Sequence, residues 1–160
     1  MEKRVILYNV RSAHNVGSVF RTSDGAGVER LYLVGPTPLP IDRFGREQAE
    51  IKKTSLGASG SVGWEHVGTA ERESLQETLE LIKKLQAEGW QTVAIEQIDS
   101  AISLYEYTVP DRVVYIFGHE VDGVPEEIVA ACDQVVEIPM QGMKESLNVS
   151  VTAGIVLFTR

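Results

Sequence analysis

Five short apolar runs, separated by helix-forming segments, constrain the fold of this chain more than any other feature. They are rich in β-branched and aromatic residues, which predicts strands at 5–8, 31–34, 92–95, 113–117 and 135–138. Runs that are apolar throughout suit strands buried on both faces of a parallel sheet. Helices are predicted at 16–26, 71–88, 126–132 and 146–159. The alternation predicts an α/β fold with a mostly parallel sheet and helices on both faces.

The rest of the chain gives no sign of a second structural unit. Its 160 residues contain no internal repeat, low-complexity tract or interdomain linker, so a single domain over 1–160 is predicted. Hydrophobic residues make up 43%, which is enough for a buried core. The Gly/Ser-rich stretch at 57–63 is expected to be a flexible loop.

Composition disfavours several broad classes of protein. No segment is apolar over a length that could cross a membrane, and the apolar run near Met1 is too short for a signal peptide. Cys132 is the only cysteine, which excludes an intrachain disulfide and favours a cytoplasmic location. The three His and the one Cys lie far apart along the chain, so no metal site is predicted.

The first of three polar clusters follows the strand at 5–8. Asn15 is expected to cap the next helix, and Gly17 would let a backbone or a ligand approach closely. Arg21 lies in the first turns of that helix, where a cation opposes the helix dipole, so helix stability does not explain it. Its planar guanidinium suits a phosphate, and an ion pair on the surface is the alternative.

The second cluster follows the strand at 113–117. Gly118 would let a ligand touch the main chain, and Glu120 would project into a cleft at the strand end. The alternative is an ordinary turn with a solvated Glu. His119 is interpreted as positional rather than catalytic, because no nucleophile lies near it in the sequence.

The third cluster, at 138–150, is interpreted as a strand end, a Pro/Gly-bearing loop and the first turn of a helix. Ser146 and Asn148 would face a ligand from that turn, although Ser and Asn are also ordinary helix caps. The carboxyl ends of parallel strands meet at one edge of a sheet. The three clusters can therefore converge on one pocket.

Together, the clusters resemble the motifs of the SpoU (TrmH-like) family of RNA 2′-O-ribose methyltransferases, within the SPOUT superfamily. The similarity runs in order through Asn-Val-Gly-Ser-Val-Phe-Arg at 15–21, Phe-Gly-His-Glu-Val-Asp-Gly at 117–123, and Ile-Pro-Met-Gln-Gly with Ser-Leu-Asn-Val-Ser-Val within 138–151. It extends from near residue 4 to the C-terminus, and the third motif is highly specific. A Rossmann dinucleotide site is disfavoured, because Gly25-Ala-Gly27 lacks the third glycine and precedes a strand.

The resemblance implies a C-terminal trefoil knot, S-adenosylmethionine as cofactor, and a homodimer with the active site near the subunit interface. It implies that the cofactor is contacted, largely through main chain, at Glu96, Gly118, Ile138, Met140, Ser146 and Leu147. It implies a catalytic set of Arg21, Asn15, Glu120, Ser146 and Asn148. Arg21 would become a transient base after meeting an RNA phosphate, or would stabilise the developing alkoxide while water takes the proton.

RNA is the substrate that the resemblance implies. Minimal family members include wobble-position tRNA methyltransferases, so tRNA is the expected RNA and rRNA the alternative. Net charge is −8, yet residues 1–53 hold nine Lys/Arg and six Asp/Glu, so attraction for phosphate is expected to be local. Modest affinity, or a surface shared by two subunits, would follow. Candidates for RNA backbone contact are Lys3, Arg4, Arg11, Arg43, Arg46, Lys52 and Lys53.

Two other classes of function stay open. One is a non-catalytic RNA-binding protein that retains the fold, although such a module would not need all five residues of the catalytic set. The other is an α/β enzyme that acts on a small nucleotide or another phosphorylated ligand. It would share a pocket at the strand ends but would need no basic RNA-binding face.

Overall fold

A seven-stranded sheet forms the centre of the molecule in the computed structural model, which describes residues 1–160. Its strands are β1 (Glu2–Tyr8), β2 (Val28–Val34), β3 (Gly63–Val67), β4 (Gln91–Ile95), β5 (Ile102–Ser103), β6 (Arg112–Phe117) and β7 (Gln134–Glu137). They pair in the order β3-β2-β1-β6-β4-β7-β5, and every pair is parallel. The predicted α/β class is confirmed, with a sheet that is entirely parallel.

Six helices cover the two faces of this sheet. They are α1 (Ala13–Ala26), α2 (Ala49–Ser55), α3 (Ala58–Ser61), α4 (Glu71–Ala87), α5 (Glu126–Ala131) and α6 (Val149–Phe158). Helices α1, α2, α3 and α6 share one apolar cluster with the sheet, whereas α4 and α5 share the other. The helices therefore lie on both faces, as predicted.

The central strands are apolar at successive positions because each face of the sheet has its own core. In β1, Val5 and Leu7 belong to the cluster under α1 and α6, whereas Ile6 belongs to the cluster under α4. In β6, Tyr115 and Ile116 divide between the two faces in the same way. Side chains alternate along a strand, so a strand covered on both faces must be apolar throughout.

The stretch at 57–63 is not the flexible loop that its composition predicts. It forms α3, and β3 begins at Gly63. Ala58 is buried in the core, and the Ser61 hydroxyl donates to Asp24 Oδ1 on α1 over 2.8 Å. These tertiary contacts order a segment whose Gly and Ser content favours flexibility. Helix α2 and strands β3 and β5 were also not predicted.

Two predicted helix starts are wrong. Helix α1 begins at Ala13, and its N-cap is Ser12 rather than Asn15, because the Ser12 hydroxyl accepts from the Asn15 N–H over 3.2 Å. Helix α6 begins at Val149, so Ser146 lies in the preceding loop and Asn148 is the N-cap. No helix is long and apolar enough to cross a membrane.

The order of the strands locates a crevice at their carboxyl ends. From β1 the chain adds β2 and β3 on one side, whereas β6, β4, β7 and β5 lie on the other. Ligands in open α/β sheets bind where the strand order reverses in this way. The reversal lies between β1 and β6, which are neighbours in the sheet.

Candidate functional site

A cleft of about 410 Å³ opens at the carboxyl edge of the sheet. The loops after β4, β6 and β7 form its walls, and the start of α6 closes one side. Its volume is within the ordinary range for small-molecule sites. Its lining is Ile95, Glu96, Gln97, Phe117, Gly118, His119, Glu120, Val121, Gly123, Glu137, Ile138, Met140, Ser146, Leu147, Asn148, Val149 and Thr152.

The cleft gathers most of the site residues that the sequence indicated. All six expected cofactor positions line it: Glu96, Gly118, Ile138, Met140, Ser146 and Leu147. Three of the five expected catalytic residues also line it: Glu120, Ser146 and Asn148. Asn15 lies one hydrogen bond away through Glu120. Arg21 is not among the lining residues, so a single chain does not bring it to this cleft.

Glu120 ties the second cluster to the first. Its carboxylate accepts from the backbone N–H groups of Arg11 at 3.1 Å and Ser12 at 3.0 Å, and from the Asn15 amide at 3.4 Å. Burial raises the pKa of Glu120, but these hydrogen bonds outweigh it and lower the pKa below its ordinary value. The carboxylate therefore stays ionised at neutral pH and holds the β1–α1 loop against the cleft wall.

A similar bond holds the other side of the 118–124 loop. Glu96 Oε2 accepts from the backbone N–H of Val124 over 2.9 Å, and a Cβ at Gly123 would collide with that oxygen. A Cβ at Gly118 would collide with the main chain of Gly123 and Val124. Gly118 is therefore required by the fold of its own loop, which differs from the expectation that it leaves room for a ligand.

His119 fixes the shape of this loop from inside. Its Nδ1 accepts from the backbone N–H groups of Val121 at 3.1 Å and Asp122 at 3.0 Å. An Nδ1 that accepts two hydrogen bonds carries no proton, so the neutral ring has its proton on Nε2. This arrangement supports the positional interpretation of His119 and explains how an exposed loop keeps one conformation.

Asn148 joins the cleft to the start of α6. Its Oδ1 accepts from the backbone N–H of Ser150 at 2.9 Å and from the Ser150 hydroxyl at 2.6 Å. The oxygen is therefore committed to capping, and the amide NH₂ group has no partner within the chain. Ser146 is exposed and lines the cleft from the 138–148 loop. Both residues can offer polar hydrogens to a bound ligand.

In the first cluster, Gly17 packs against a neighbouring helix, whereas Arg21 is exposed. A Cβ at Gly17 would collide with the Thr54 side chain and lie 2.9 Å from the Ile51 carbonyl oxygen, so Gly17 permits close packing of α1 on α2. Arg21 is exposed on α1 and forms neither an ion pair nor a side-chain hydrogen bond. The predicted ligand approach at Gly17 is therefore a helix contact, and the surface ion pair considered for Arg21 is absent.

Two of the basic residues expected to contact RNA have structural roles instead. The buried Lys3 donates its Nζ to the Leu157 carbonyl over 2.6 Å. Arg4 pairs with Glu29 and stacks on Trp90, 4.2 Å from the ring centroid. Both belong to β1, toward its amino end, whereas the cleft lies at the carboxyl ends of the strands. These partners and this position do not support the RNA contact predicted for either side chain.

Charge along the cleft favours one class of ligand. Glu96, Glu120 and Glu137 line it, and neither Lys nor Arg does. A phosphate would meet carboxylates there without a compensating cation. A cationic ligand would be stabilised, and Ile95, Phe117 and other apolar residues can pack against a flat ring. The cleft suits a ligand that combines an aromatic ring with positive charge.

Several lining residues were not anticipated from the sequence. Thr152 faces the cleft one turn after Asn148, and the correct start of α6 would have indicated it. Glu137 is the last residue of β7, where a polar residue at a strand end is a weak but usable signal. Gln97 follows Glu96 in a loop without a recognisable pattern, so the sequence offered no signal for it.

Comparison with known proteins identifies the family. The SpoU rRNA methylase family matches residues 2–158. This chain is a SpoU family member. A SpoU relative, the tRNA (guanosine(18)-2′-O)-methyltransferase of Escherichia coli strain K12, is 29% identical over 155 residues. The match covers 96% of this chain and 60% of that enzyme, so the chain spans about three fifths of that relative's length.

Solved structures agree with the SpoU assignment. An AdoMet-bound rRNA methyltransferase from Sinorhizobium meliloti is 27% identical with a TM-score of 0.81, over 99% of this chain and 55% of that one. A structure that concerns 2-OH methylation of C/U34 on tRNA is 27% identical with a TM-score of 0.77. That match covers 98% of this chain and 92% of the other. The resemblance drawn from the sequence motifs is confirmed.

Proposed function

We propose that this chain is an S-adenosylmethionine-dependent methyltransferase that modifies a ribose 2′-hydroxyl of RNA. The observation that carries the proposal is the cleft, where all six expected cofactor positions meet with three carboxylates and without Lys or Arg. The relationship to an AdoMet-bound SpoU structure supports the same ligand.

The residues present fit this cofactor. Apolar side chains and exposed main chain along the cleft would hold its adenine ring, with Glu96, Glu120 and Glu137 around its positive charge. Bound there, the cofactor supplies an electrophilic methyl group. Asn148 would donate a hydrogen bond from its free NH₂ group to the ribose of the RNA substrate, since its oxygen already caps α6. Glu120 and Asn15 would hold the adjoining loop in place.

Arg21 is the proposed catalytic residue, in one of two roles. In the role of transient base, Arg21 would first have to pass a proton to the RNA phosphate, and guanidinium hardly ever loses its proton in proteins. In the other role, Arg21 stabilises the developing alkoxide and binds phosphate while water accepts the proton. Both roles need the planar fork of Arg, so Arg21→Lys should lose activity as Arg21→Ala does.

The proposed active unit is a homodimer in which Arg21 reaches the cleft of the partner. Val151, Ile155 and Phe158 are 49%, 37% and 59% exposed, and they follow one side of α6. Helix α6 packs against α1, which carries Arg21. A second copy of the chain that packs on this stripe would bury it. The same packing would bring the Arg21 of each copy near the cleft of the other. The C-terminal trefoil knot is proposed on the family relationship.

tRNA is the proposed substrate, with rRNA as the alternative. One relative of similar length is a protein whose structure concerns methylation of C/U34 on tRNA, and 92% of it matches this chain. Longer relatives do not separate the two RNAs, because the match covers 60% of the tRNA (guanosine(18)-2′-O)-methyltransferase of Escherichia coli and 55% of the Sinorhizobium meliloti rRNA methyltransferase. A cytoplasmic location remains a prediction from the lone Cys132.

The direct test is methyl transfer to candidate RNAs. The protein is incubated with cofactor labelled in the methyl group and with unmodified tRNA or rRNA, and the modified nucleotide is then mapped. We expect wild type to transfer label to tRNA and Arg21→Lys to transfer none. Label in rRNA alone would select the alternative substrate. Cofactor binding without transfer to either RNA would favour a non-catalytic RNA-binding protein.

A further inference from the structure

Residues 41–47 form a compact loop that does not line the proposed cofactor cleft. Ile41 and Glu47 form an antiparallel bridge, and the Asp42 N–H donates to the Arg46 carbonyl over 2.9 Å. Asp42 Oδ1 accepts from the backbone N–H groups of Phe44 and Arg46, both at 2.9 Å. Asp42 Oδ2 accepts from Arg46 Nε at 2.8 Å. This network holds the loop in one shape.

The tip of the loop carries an aromatic ring on which two arginines stack. Phe44 is 66% exposed, although a large apolar side chain is usually buried. The guanidinium carbons of Arg43 and Arg46 lie 4.7 Å and 5.0 Å from its ring centroid. Arg46 uses its Nε on Asp42, so both of its Nη groups remain without a protein partner. The tip therefore offers stacked planar groups, one aromatic ring and two guanidinium groups, with unused cationic donors.

We propose that Phe44, Arg43 and Arg46 form a stacking platform for an unpaired base of the RNA substrate. This inference rests on the proposed function and concerns how its substrate is held. Aromatic rings and guanidinium planes stack on splayed-out bases, and this is how proteins recognise single-stranded RNA loops. The substrate segment would therefore be single-stranded beside the modified nucleotide.

Charge makes RNA the favoured occupant of this tip over a protein. Among the exposed candidates for RNA contact, Arg43 and Lys53 form no ion pair with an acidic side chain. The other exposed candidates are paired locally, Arg11 with Glu71, Arg46 with Asp42 and Lys52 with Glu47. An aromatic ring flanked by cations matches a base and its phosphate.

The position of the loop allows one RNA strand to reach both sites. The loop follows β2, so it leaves the sheet at the carboxyl edge where the cleft also opens. Strand β2 is separated from β6 by β1 alone, and neighbouring strands lie about 5 Å apart. A second cleft of about 540 Å³, with Asp42, Arg46 and Gln48 in its lining, leaves space at the base of the loop.

The test compares substitutions that keep or remove the flat ring. Phe44→Leu keeps an apolar side chain without a ring, whereas Phe44→Trp keeps stacking and adds a fluorophore. The matched control is Tyr105→Leu, because Tyr105 is 76% exposed and neither arginine nor lysine stacks on it. Binding to unmodified tRNA and to rRNA transcripts is measured by titration, methyl transfer by kcat and KM, and cofactor affinity by calorimetry.

Phe44→Leu is expected to weaken RNA binding and raise the KM for RNA about tenfold, within the range of one stacked base. Its kcat and cofactor affinity should not change, Tyr105→Leu should match wild type, and Phe44→Trp should bind normally with quenched fluorescence. Wild-type RNA affinity in Phe44→Leu would overturn the platform and leave the proposed function intact. If wild type binds RNA through Phe44 but transfers no methyl group, only the proposed function would be overturned. Failure of wild type to bind either RNA would overturn both.

Discussion

One amide at Asn148 has two separable tasks. Its oxygen caps α6, and its NH₂ group is free to meet a ligand in the cleft. Asn148→Asp keeps an oxygen for the cap and removes the donor, whereas Asn148→Ala removes both. We expect Asn148→Asp to keep the thermal stability of wild type and lose methyl transfer. Asn148→Ala should lose activity and also about 1 kcal/mol of stability.

Thermal unfolding and methyl-transfer kinetics on the two variants separate these tasks. Full activity in Asn148→Asp would show that the NH₂ group has no role in the reaction. Equal stability in Asn148→Ala and wild type would remove the capping role.

The loop that carries Glu120 depends on one nitrogen of His119. Asn places its oxygen near the position of Nδ1, whereas Gln places its oxygen near that of Nε2. Because Nδ1 accepts from Val121 and Asp122, we expect His119→Asn to preserve cofactor affinity. His119→Gln should weaken it about tenfold, since two hydrogen bonds of the loop are lost. Calorimetry with S-adenosylmethionine measures both, and equal affinity in the two variants would contradict the account.

Individual site residues were predictable where a short motif carries them. The positions at 138–148 and 117–123 converge as expected, because parallel strands bring their carboxyl ends together. The sequence did not indicate Ser12 as the N-cap, and it indicated a positional role for His119 without its partners, because each acts through hydrogen bonds whose geometry is set by the folded loop. The steric requirement for Gly118 was not predicted, since the backbone that a Cβ there would meet belongs to its own loop.

At the scale of elements, contact between α1 and α2 sets the position of the first cluster. Ala is normally a better helix residue than Gly, yet a Cβ at Gly17 would collide with Thr54 and with the backbone of α2. We expect Gly17→Ala to lower the free energy of unfolding by about 1–3 kcal/mol through overpacking. The control is Gly60→Ala in α3, where a Cβ would meet nothing within 4 Å.

Denaturant unfolding of both variants provides the measurement. Gly60→Ala should leave stability unchanged or raise it slightly, whereas adding Thr54→Ala to Gly17→Ala should restore only part of the loss, because the Ile51 carbonyl remains. A stable Gly17→Ala variant would mean that α1 and α2 are not closely packed.

The sequence predicted those helices and strands whose own residues form a clear apolar pattern. Strands β1, β2, β4 and β6 are largely buried and apolar, β7 has two adjacent valines, and helix α4 has a clear apolar stripe. Helix α2 has Ile51 as its one large apolar residue, and β5 has two residues at the sheet edge. Tertiary contacts rather than local pattern form these two elements, so no local signal was available for them.

At the scale of the whole molecule, Arg21 and the cleft are proposed to meet across a dimer. In a mixed dimer, one chain carries Arg21→Ala and the other carries Asn148→Ala. If Arg21 acts on the partner's cleft, one site of the two receives both intact residues. We therefore expect the mixed dimer, purified with two different affinity tags, to recover methyl transfer that each variant alone has lost.

A matched control pairs Arg21→Ala with the double variant Arg21→Ala/Asn148→Ala, which should stay inactive. Activity of the first mixture no greater than that of the separate variants would mean that Arg21 does not act across the dimer. Monomeric behaviour of wild type in sedimentation analysis would contradict the dimer itself.

The sequence could not predict which basic residues face a common surface, because the position of each side chain depends on the complete fold. Lys3 and Arg4 were grouped with Arg43 by charge, but β1 carries them toward the edge opposite the cleft. Local ion pairs then occupy Arg11 and Lys52. Neither the strand direction nor the ion pairs can be deduced from residue counts.

The most direct test of the central claim is the chemical position of the transferred methyl group. A 2′-O-methyl ribose blocks alkaline cleavage of the adjacent phosphodiester, so label on the ribose remains in alkali-resistant dinucleotides. We expect label transferred by wild type to tRNA to appear in that fraction, and we expect Arg21→Lys to transfer none. Label recovered in mononucleotides, which places the methyl group on a base, would contradict the claim.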